Sequence, residues 1–171
     1  MRSAPTDFSA LLRCLLDASV DFILVGGVAG NVHGAARATY DIDVVYGRSR
    51  ENLERLIGAL APHRPYLRGA PPGLPFSFDV NTLRRGLNFT LTTSLGDIDL
   101  LGEVTGGGTY EALVPSSEMF ELWGTWCRCV TLQTLIQLKR AAGRPKDLEA
   151  IAELEALHAE REAAGSAGSG E

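Results

Sequence analysis

The six residues DIDVVY, 41–46, restrict the fold more than any other stretch of this chain. Alternation along a strand puts Asp41 and Asp43 on one side and Ile42 and Val44 on the other. The two aspartate Cα atoms then lie about 6.6 Å apart, at about 3.3 Å per residue. Buried carboxylates are costly unless water or a cation reaches them. Such a strand has to give one face to a core and hold the other at an opening. A second strand of the same kind follows in GDIDLLG, 96–102. Asp99 sits in mid-strand between Ile98 and Leu100, whereas Asp97 follows Gly96 at the strand entry and is the weaker candidate. If the two strands are neighbours, an acid from the second completes a three-acid cluster with Asp41 and Asp43. Two same-face carboxylates can share one divalent cation, or flank a pair of metals about 3.5–4 Å apart. Hard oxygen ligands favour Mg²⁺ or Mn²⁺ over zinc. The alternative is a solvated strand edge, the usual fate of an isolated Asp-x-Asp.

Hydrophobic periodicity supplies the surrounding elements. FSALLRCLLDASV, 8–20, carries a helical apolar stripe, and FILV, 22–25, is a short buried strand halted by Gly26-Gly27. Residues 28–36 are Ala- and Gly-rich and suit a short helix, and 49–61 reads as an amphipathic helix opened by Ser49. Pro and Gly crowd 62–75, which predicts an irregular loop. LNFTLTT, 87–93, alternates as a strand, and MFELWGTWCRCV, 119–130, reads as a hairpin turning near Gly124. Phe120, Trp123 and Trp126 are expected to pack within it. Helix 131–143 stops at Gly143, Pro145 opens a last helix to about 162, and 163–171 reads as a disordered tail. The expectation is one α+β domain over 1–162, a mixed sheet flanked by helices, with a C-terminal helical pair at about 131–162.

The net charge of −5 is uneven: residues 1–146 carry 15 basic and 14 acidic side chains, and residues 147–171 carry 1 and 7. The body is nearly neutral, so overall acidity excludes neither a nucleotide nor an RNA partner, and no strong basic footprint is present. No run is long enough to span a bilayer, and the N-terminus shows no signal-peptide pattern, which reads as a cytoplasmic protein without a membrane partner. The cysteines Cys14, Cys127 and Cys129 lack zinc-ligand spacing and read as buried thiols.

In helix 131–143, Lys139 stands at i+7, i+4 and i+3 from Leu132, Leu135 and Ile136, on the apolar face where a charge is unexpected. Asp147 lies beside the apolar stripe of the last helix, set by Ile151 and Leu154. Lys139 could bridge to Asp147, or run its stem out to solvent, or serve a bound anion. Arg144 and Lys146 read as solvent-facing, with a contact to phosphate or an acceptor as the alternative. His33 is expected to pack in its short helix, and Arg37 could meet phosphate or an acid. Arg64, Arg68, Arg84 and Arg85 bracket the Pro-rich loop and read as solvated surface, with an acceptor-binding rim as the alternative.

FILVGGVAGNVHGAARATYDIDVV, 22–45, resembles the signature of the polymerase β-like nucleotidyltransferase superfamily: strand, Gly-Gly turn opening a helix, strand with Asp-x-Asp, and a third acid on a later strand. LIQLKRAAGRPKDLEAIAELEAL resembles the corresponding region of toxin-type nucleotidyltransferases from abortive-infection and toxin–antitoxin systems. The small antitoxin-type enzymes usually carry Gly-Ser and Ser-Asp-Ile-Asp, where this chain has Gly-Gly and Tyr-Asp-Ile-Asp. The resemblance implies the nucleotidyltransferase fold and transfer of a nucleoside monophosphate from an NTP, such as ATP, to a hydroxyl of RNA (tRNA) or protein. It implies Mg²⁺ or Mn²⁺ on Asp41, Asp43 and Asp99, with Asp99 helping to activate the acceptor. Gly26, Gly27, Arg37, Lys139 and Asp147 are then the candidate nucleotide-binding residues, Lys139 meeting the triphosphate and Asp147 orienting it. A cognate antitoxin is the partner such an enzyme would have. The alternative is a non-catalytic module of the same fold that binds a nucleotide or a partner protein. A Rossmann-type dinucleotide site fits poorly, since no G-x-G-x-x-G is present.

Overall fold

The structure is a computed structural model that describes residues 5–168. In chain order the elements are α1 (Phe8–Asp17), β1 (Phe22–Val25), α2 (Gly26–Val32), β2 (Asp41–Tyr46), α3 (Arg50–Leu60), β3 (Tyr66–Leu67), α4 (Val80–Arg85) and β4 (Asn88–Thr93). There follow β5 (Gly96–Leu101), β6 (Glu103–Val104), β7 (Gly108–Thr109), α5 (Tyr110–Leu113), β8 (Ser117–Leu122), β9 (Thr125–Val130), α6 (Leu132–Ala142) and α7 (Asp147–Ala167). The fold is α+β, as expected.

Seven strands form one sheet in the order β3-β4-β5-β2-β1-β9-β8. β2 runs parallel to β5 and β1 parallel to β9, while the other neighbours are antiparallel. The sheet is mixed because FILV and DIDVVY return antiparallel around α2, whereas β5 and β9 arrive after longer connections. All four residues of β1 are buried, so both faces of the sheet centre are covered. α1 and α3 pack on each other, and α2, α6 and α7 form a second helical group. Asp7, Ser49 and Thr131 cap α1, α3 and α6 by accepting from backbone N–H groups, which fixes where those stripes begin.

Some expected boundaries move. α4 lies in a segment with no clear helical stripe; it is nucleated by Asp79, whose carboxylate accepts from the Thr82 N–H. α7 starts at Asp147, after Pro145, and continues to Ala167. Residues 163–167, expected as part of a disordered tail, therefore prolong the helix, as their alanines favour. Residues 169–171 lie outside the described residues. The hairpin turns at Trp123-Gly124 as read, and Trp123 stacks on Phe8 with ring centroids 5.9 Å apart. Trp126, expected to pack, is exposed instead, because its strand position faces away from the core. Cys127 and Cys129 are buried free thiols, and burial pushes the Cys127 thiol up to about 11.

Asn52 ties the start of α3 to the end of β2. It is fully buried; its Nδ2 donates to the Gly47 carbonyl at 2.7 Å and the Asp21 carbonyl at 3.0 Å, and its Oδ1 accepts from the Asp21 N–H at 2.7 Å. Asn52→Ala leaves these backbone groups without partners and is expected to cost about 2–4 kcal/mol of stability. A lower urea midpoint at unchanged slope is the readout.

Candidate active site

Register builds the site. Asp41 pairs with Asp97 and Asp43 with Asp99 across the parallel β2–β5 ladder, so four carboxylates share one face of two adjacent strands. Asp41, Asp43 and Asp99 each bring a carboxylate oxygen to within 4.8 Å of the others. This is the juxtaposition that the two DID segments predicted, and Asp97 joins as the fourth acid.

Gly26 and Gly27 explain the abrupt end of β1. Gly26 has φ +68°, and a Cβ there would stand 2.1 Å from Asp43 Oδ2; one on Gly27 would stand 2.6 Å from Thr39 Oγ1. The turn must therefore be glycine for the backbone to lie against the second aspartate. In that position the Gly27 backbone favours the charged form of the Asp43 carboxylate, against the burial that raises it. The glycines were expected to admit a triphosphate; the contact they make in the structure is with the acids themselves.

Asp43 is pushed up to about 8, first by burial, then by the charge of Asp41 and by its contact with Asp99. Asp99 lies against Asp43, and its proximity and charge add to that upward push. Asp41 is also raised, mainly by burial and next by Asp99, with Arg68 acting the other way. Asp99 Oδ1 and Asp97 Oδ1 are buried without a hydrogen-bond partner. A divalent cation suits this set: oxygen donors only, mutually repelling, with a buried lone pair unused.

Arg68, read from the sequence as solvated surface, is the missed member. Its guanidinium lies 3.0 Å from Asp99, 3.3 Å from Asp97 and 3.4 Å from Asp41. The irregular 62–75 segment contains a two-residue strand, β3, that pairs with β4 and carries Arg68 back over the sheet. The only signal in the sequence was an arginine two residues past Tyr66 in a short, tyrosine-containing stretch.

Lys139 reaches the site as its periodicity predicted. It lines a cleft of about 220 Å³ together with Gly26, Asp43, Asp99, Leu135 and Arg144. Among the described residues Lys139 has no ion-pair partner, so the expected bridge to Asp147 is absent. Asp147, buried, instead accepts from Arg144, with Nε at 2.8 Å. Arg144 is exposed, as expected, and also lines this cleft, with its guanidinium held by Asp147. Arg37 pairs with Glu149 at 3.0 Å and Glu153 at 3.5 Å on α7, the acid-pairing alternative of its two readings. His33 is buried, with Nε2 donating to the Val130 carbonyl at 2.8 Å and Nδ1 accepting from Arg161 at 3.1 Å. Larger hollows lie elsewhere, one of about 490 Å³ beside β6 and β7, but Glu103 is its sole ionisable lining residue. Asp43, Asp99 and Lys139 line the smaller cleft.

By sequence, no protein-family model and no curated protein matches the chain. In structure it is similar to a Thermotoga maritima protein provisionally assigned as a nucleotidyltransferase, with 14% identity and a TM-score of 0.55 over 88% of this chain and 94% of that one. It is also similar to the antibiotic-resistance factor ANT(2'')-Ia, with 16% identity and a TM-score of 0.50 over 94% and 91% of the two chains. The architecture is therefore the nucleotidyltransferase fold. No helix among the described residues is long and apolar enough to cross a membrane.

The raised Asp43 has a pH consequence. With a folded value of about 8, the native state keeps a proton that the unfolded chain releases near pH 4. Between those limits the native state binds the extra proton, so Asp43 makes metal-free stability fall as pH rises toward 8. Asp43→Asn is expected to flatten the thermal midpoint between pH 5 and 8; an unchanged slope would count against a proton held on Asp43.

Proposed function

We propose that this chain is an enzyme that transfers a nucleoside monophosphate from an NTP to an acceptor hydroxyl and releases pyrophosphate. The observation that carries the reading is the convergence of Asp41, Asp43 and Asp99 within 4.8 Å, at the mouth of the cleft that Lys139 lines. The fold supports it as the architecture of nucleotidyltransferases. Asp41, Asp43 and Asp99 are the residues that would hold Mg²⁺ or Mn²⁺. Bound there, such an ion would neutralise triphosphate oxygens and acidify the attacking hydroxyl.

The chain's own groups divide the remaining work. The acceptor oxygen attacks the α-phosphorus, the bond to the bridging oxygen of the leaving pyrophosphate breaks, and the hydroxyl proton passes to the Asp99 carboxylate. Lys139, without an internal partner among the described residues, supplies positive charge where negative charge grows on the leaving group. Arg144, clamped by Asp147, is the second cation of the cleft. Asp147 thus acts through Arg144 rather than through Lys139, and Arg37, held by α7, stays outside the nucleotide contacts. The resemblance of the C-terminal block to toxin-type enzymes supports RNA, tRNA in the first place, or protein as the acceptor, and an antitoxin as partner. A binding module with no catalysis would have no need to keep three converging acids beside an unpaired lysine.

The test incubates the protein with each labelled NTP, Mg²⁺ and either total tRNA or cell extract. Transfer is expected to vanish in Asp41→Ala and to fall about a hundredfold in Lys139→Ala, the scale of losing one charge-stabilising group. Absence of Asp41-dependent transfer to any acceptor would overturn the enzyme reading.

A further inference from the structure

The acid cluster already contains a cation of the chain's own. Arg68 follows β3, and its guanidinium reaches across β4 to touch Asp99 at 3.0 Å, Asp97 at 3.3 Å and Asp41 at 3.4 Å. A well-made arginine–carboxylate pair closes to about 2.7–2.9 Å through two parallel bonds. None of the three contacts does so. Arg68 Nε, Asp97 Oδ1 and Asp99 Oδ1 are all buried with no hydrogen bond, and the short bond of the guanidinium goes to the Leu91 carbonyl at 2.8 Å. Arg68 thus meets the charge of three carboxylates while its one hydrogen bond to them, to Asp41 Oδ2, is long at 3.4 Å. Two of those three, Asp41 and Asp99, also belong to the trio whose oxygens converge within 4.8 Å.

We propose that Arg68 is the resident counter-ion of this cluster, and that a divalent cation binds by taking Asp41 and Asp99 away from it. The inference rests on the reading of Asp41, Asp43 and Asp99 as cation ligands, and adds that the guanidinium sets how tightly the ion binds. A doubly charged ion with short oxygen bonds displaces a singly charged, delocalised group from poorly aligned contacts. The displaced guanidinium keeps Asp97, which is outside the converging trio, and this gives the fourth acid its role. The backbone permits the shift. The Arg68 N–H is anchored to the Thr90 carbonyl at 3.0 Å, while Gly69 and Gly73, with φ +76° and +89°, follow it in open space. The side chain can move without disturbing the sheet.

The experiment measures Mn²⁺ binding to the full chain without nucleotide, from the free-ion signal in electron paramagnetic resonance. It compares wild type with Arg68→Gln, with Arg68→Gln/Asp97→Asn and with Asp43→Asn. Arg68→Gln removes the competitor but also a positive charge, so tighter binding there has two sources. The double variant keeps the wild-type net charge and all three ligands, and its matched charges guard the fold if the single variant is unstable. Displacement predicts that the double variant binds Mn²⁺ about tenfold tighter than wild type, a modest share of a partly buried charge interaction. If the double variant binds no tighter while wild-type binding still depends on Asp43, the counter-ion proposal fails and the cation site stands. If neither wild type nor any variant binds Mn²⁺, the cation-site reading fails and takes this proposal with it.

Discussion

The in-register parallel pairing of β2 with β5 is the constraint to which the rest of the structure responds. It sets Asp41 beside Asp97 and Asp43 beside Asp99, and like charges directly opposite on neighbouring strands destabilise a sheet. The ladder cannot slip to relieve them, because a one-residue shift would turn Ile42, Val44, Ile98 and Leu100 out of the core. Compensation has to come from other elements. The Gly27 backbone favours the charged form of Asp43, Arg68 stands among the other three acids, and Asp43 is pushed toward its protonated form. Lys139 and Arg144 add positive charge along the cleft.

Each compensation explains a piece of local sequence that has no other reason. A β1 that stops at two glycines is a poor strand end on propensity alone, but a side chain at Gly26 would overlap Asp43. A lysine on the apolar stripe of α6 is a poor core residue, but that stripe points at the acids. The Arg144–Asp147 pair closes the turn between α6 and α7, with Gly143 in the left-handed conformation, and so sets the last cation at the cleft. The helical pair is placed by packing, and its charged residues are placed by the cluster.

Much of this was legible because the acids sit in strongly alternating strands and Lys139 in a clear helical stripe. Period-2 and period-3.6 patterns fix which face a side chain takes, and faces are what the site is made of. The partners of side chains were less legible. Arg68 was unreadable because β3 has two residues and owes its existence to the β4 edge, a long-range pairing that leaves no periodic mark. The Lys139–Asp147 bridge was plausible from two helical stripes, but local geometry favours Arg144, three residues from Asp147 across one tight turn. The reach of α7 past residue 162 was hidden by Gly165, which weakens a helix without ending it.

A cluster of this kind is evidence about function because it is costly to keep. Replacing buried charged groups by apolar ones of similar size is often neutral or stabilising. A strand pair with four apolar residues at these positions would close the sheet without an arginine and without glycines at its edge. The chain instead retains buried carboxylate oxygens that hydrogen-bond to nothing, facing a cleft edged by cations. On the proposed reading, what completes such electrostatics brings positive charge to the acids and negative charge to Lys139, with Arg144 beside it. A metal–triphosphate has that polarity, cationic at one end and anionic along its length, and the site has the complementary order.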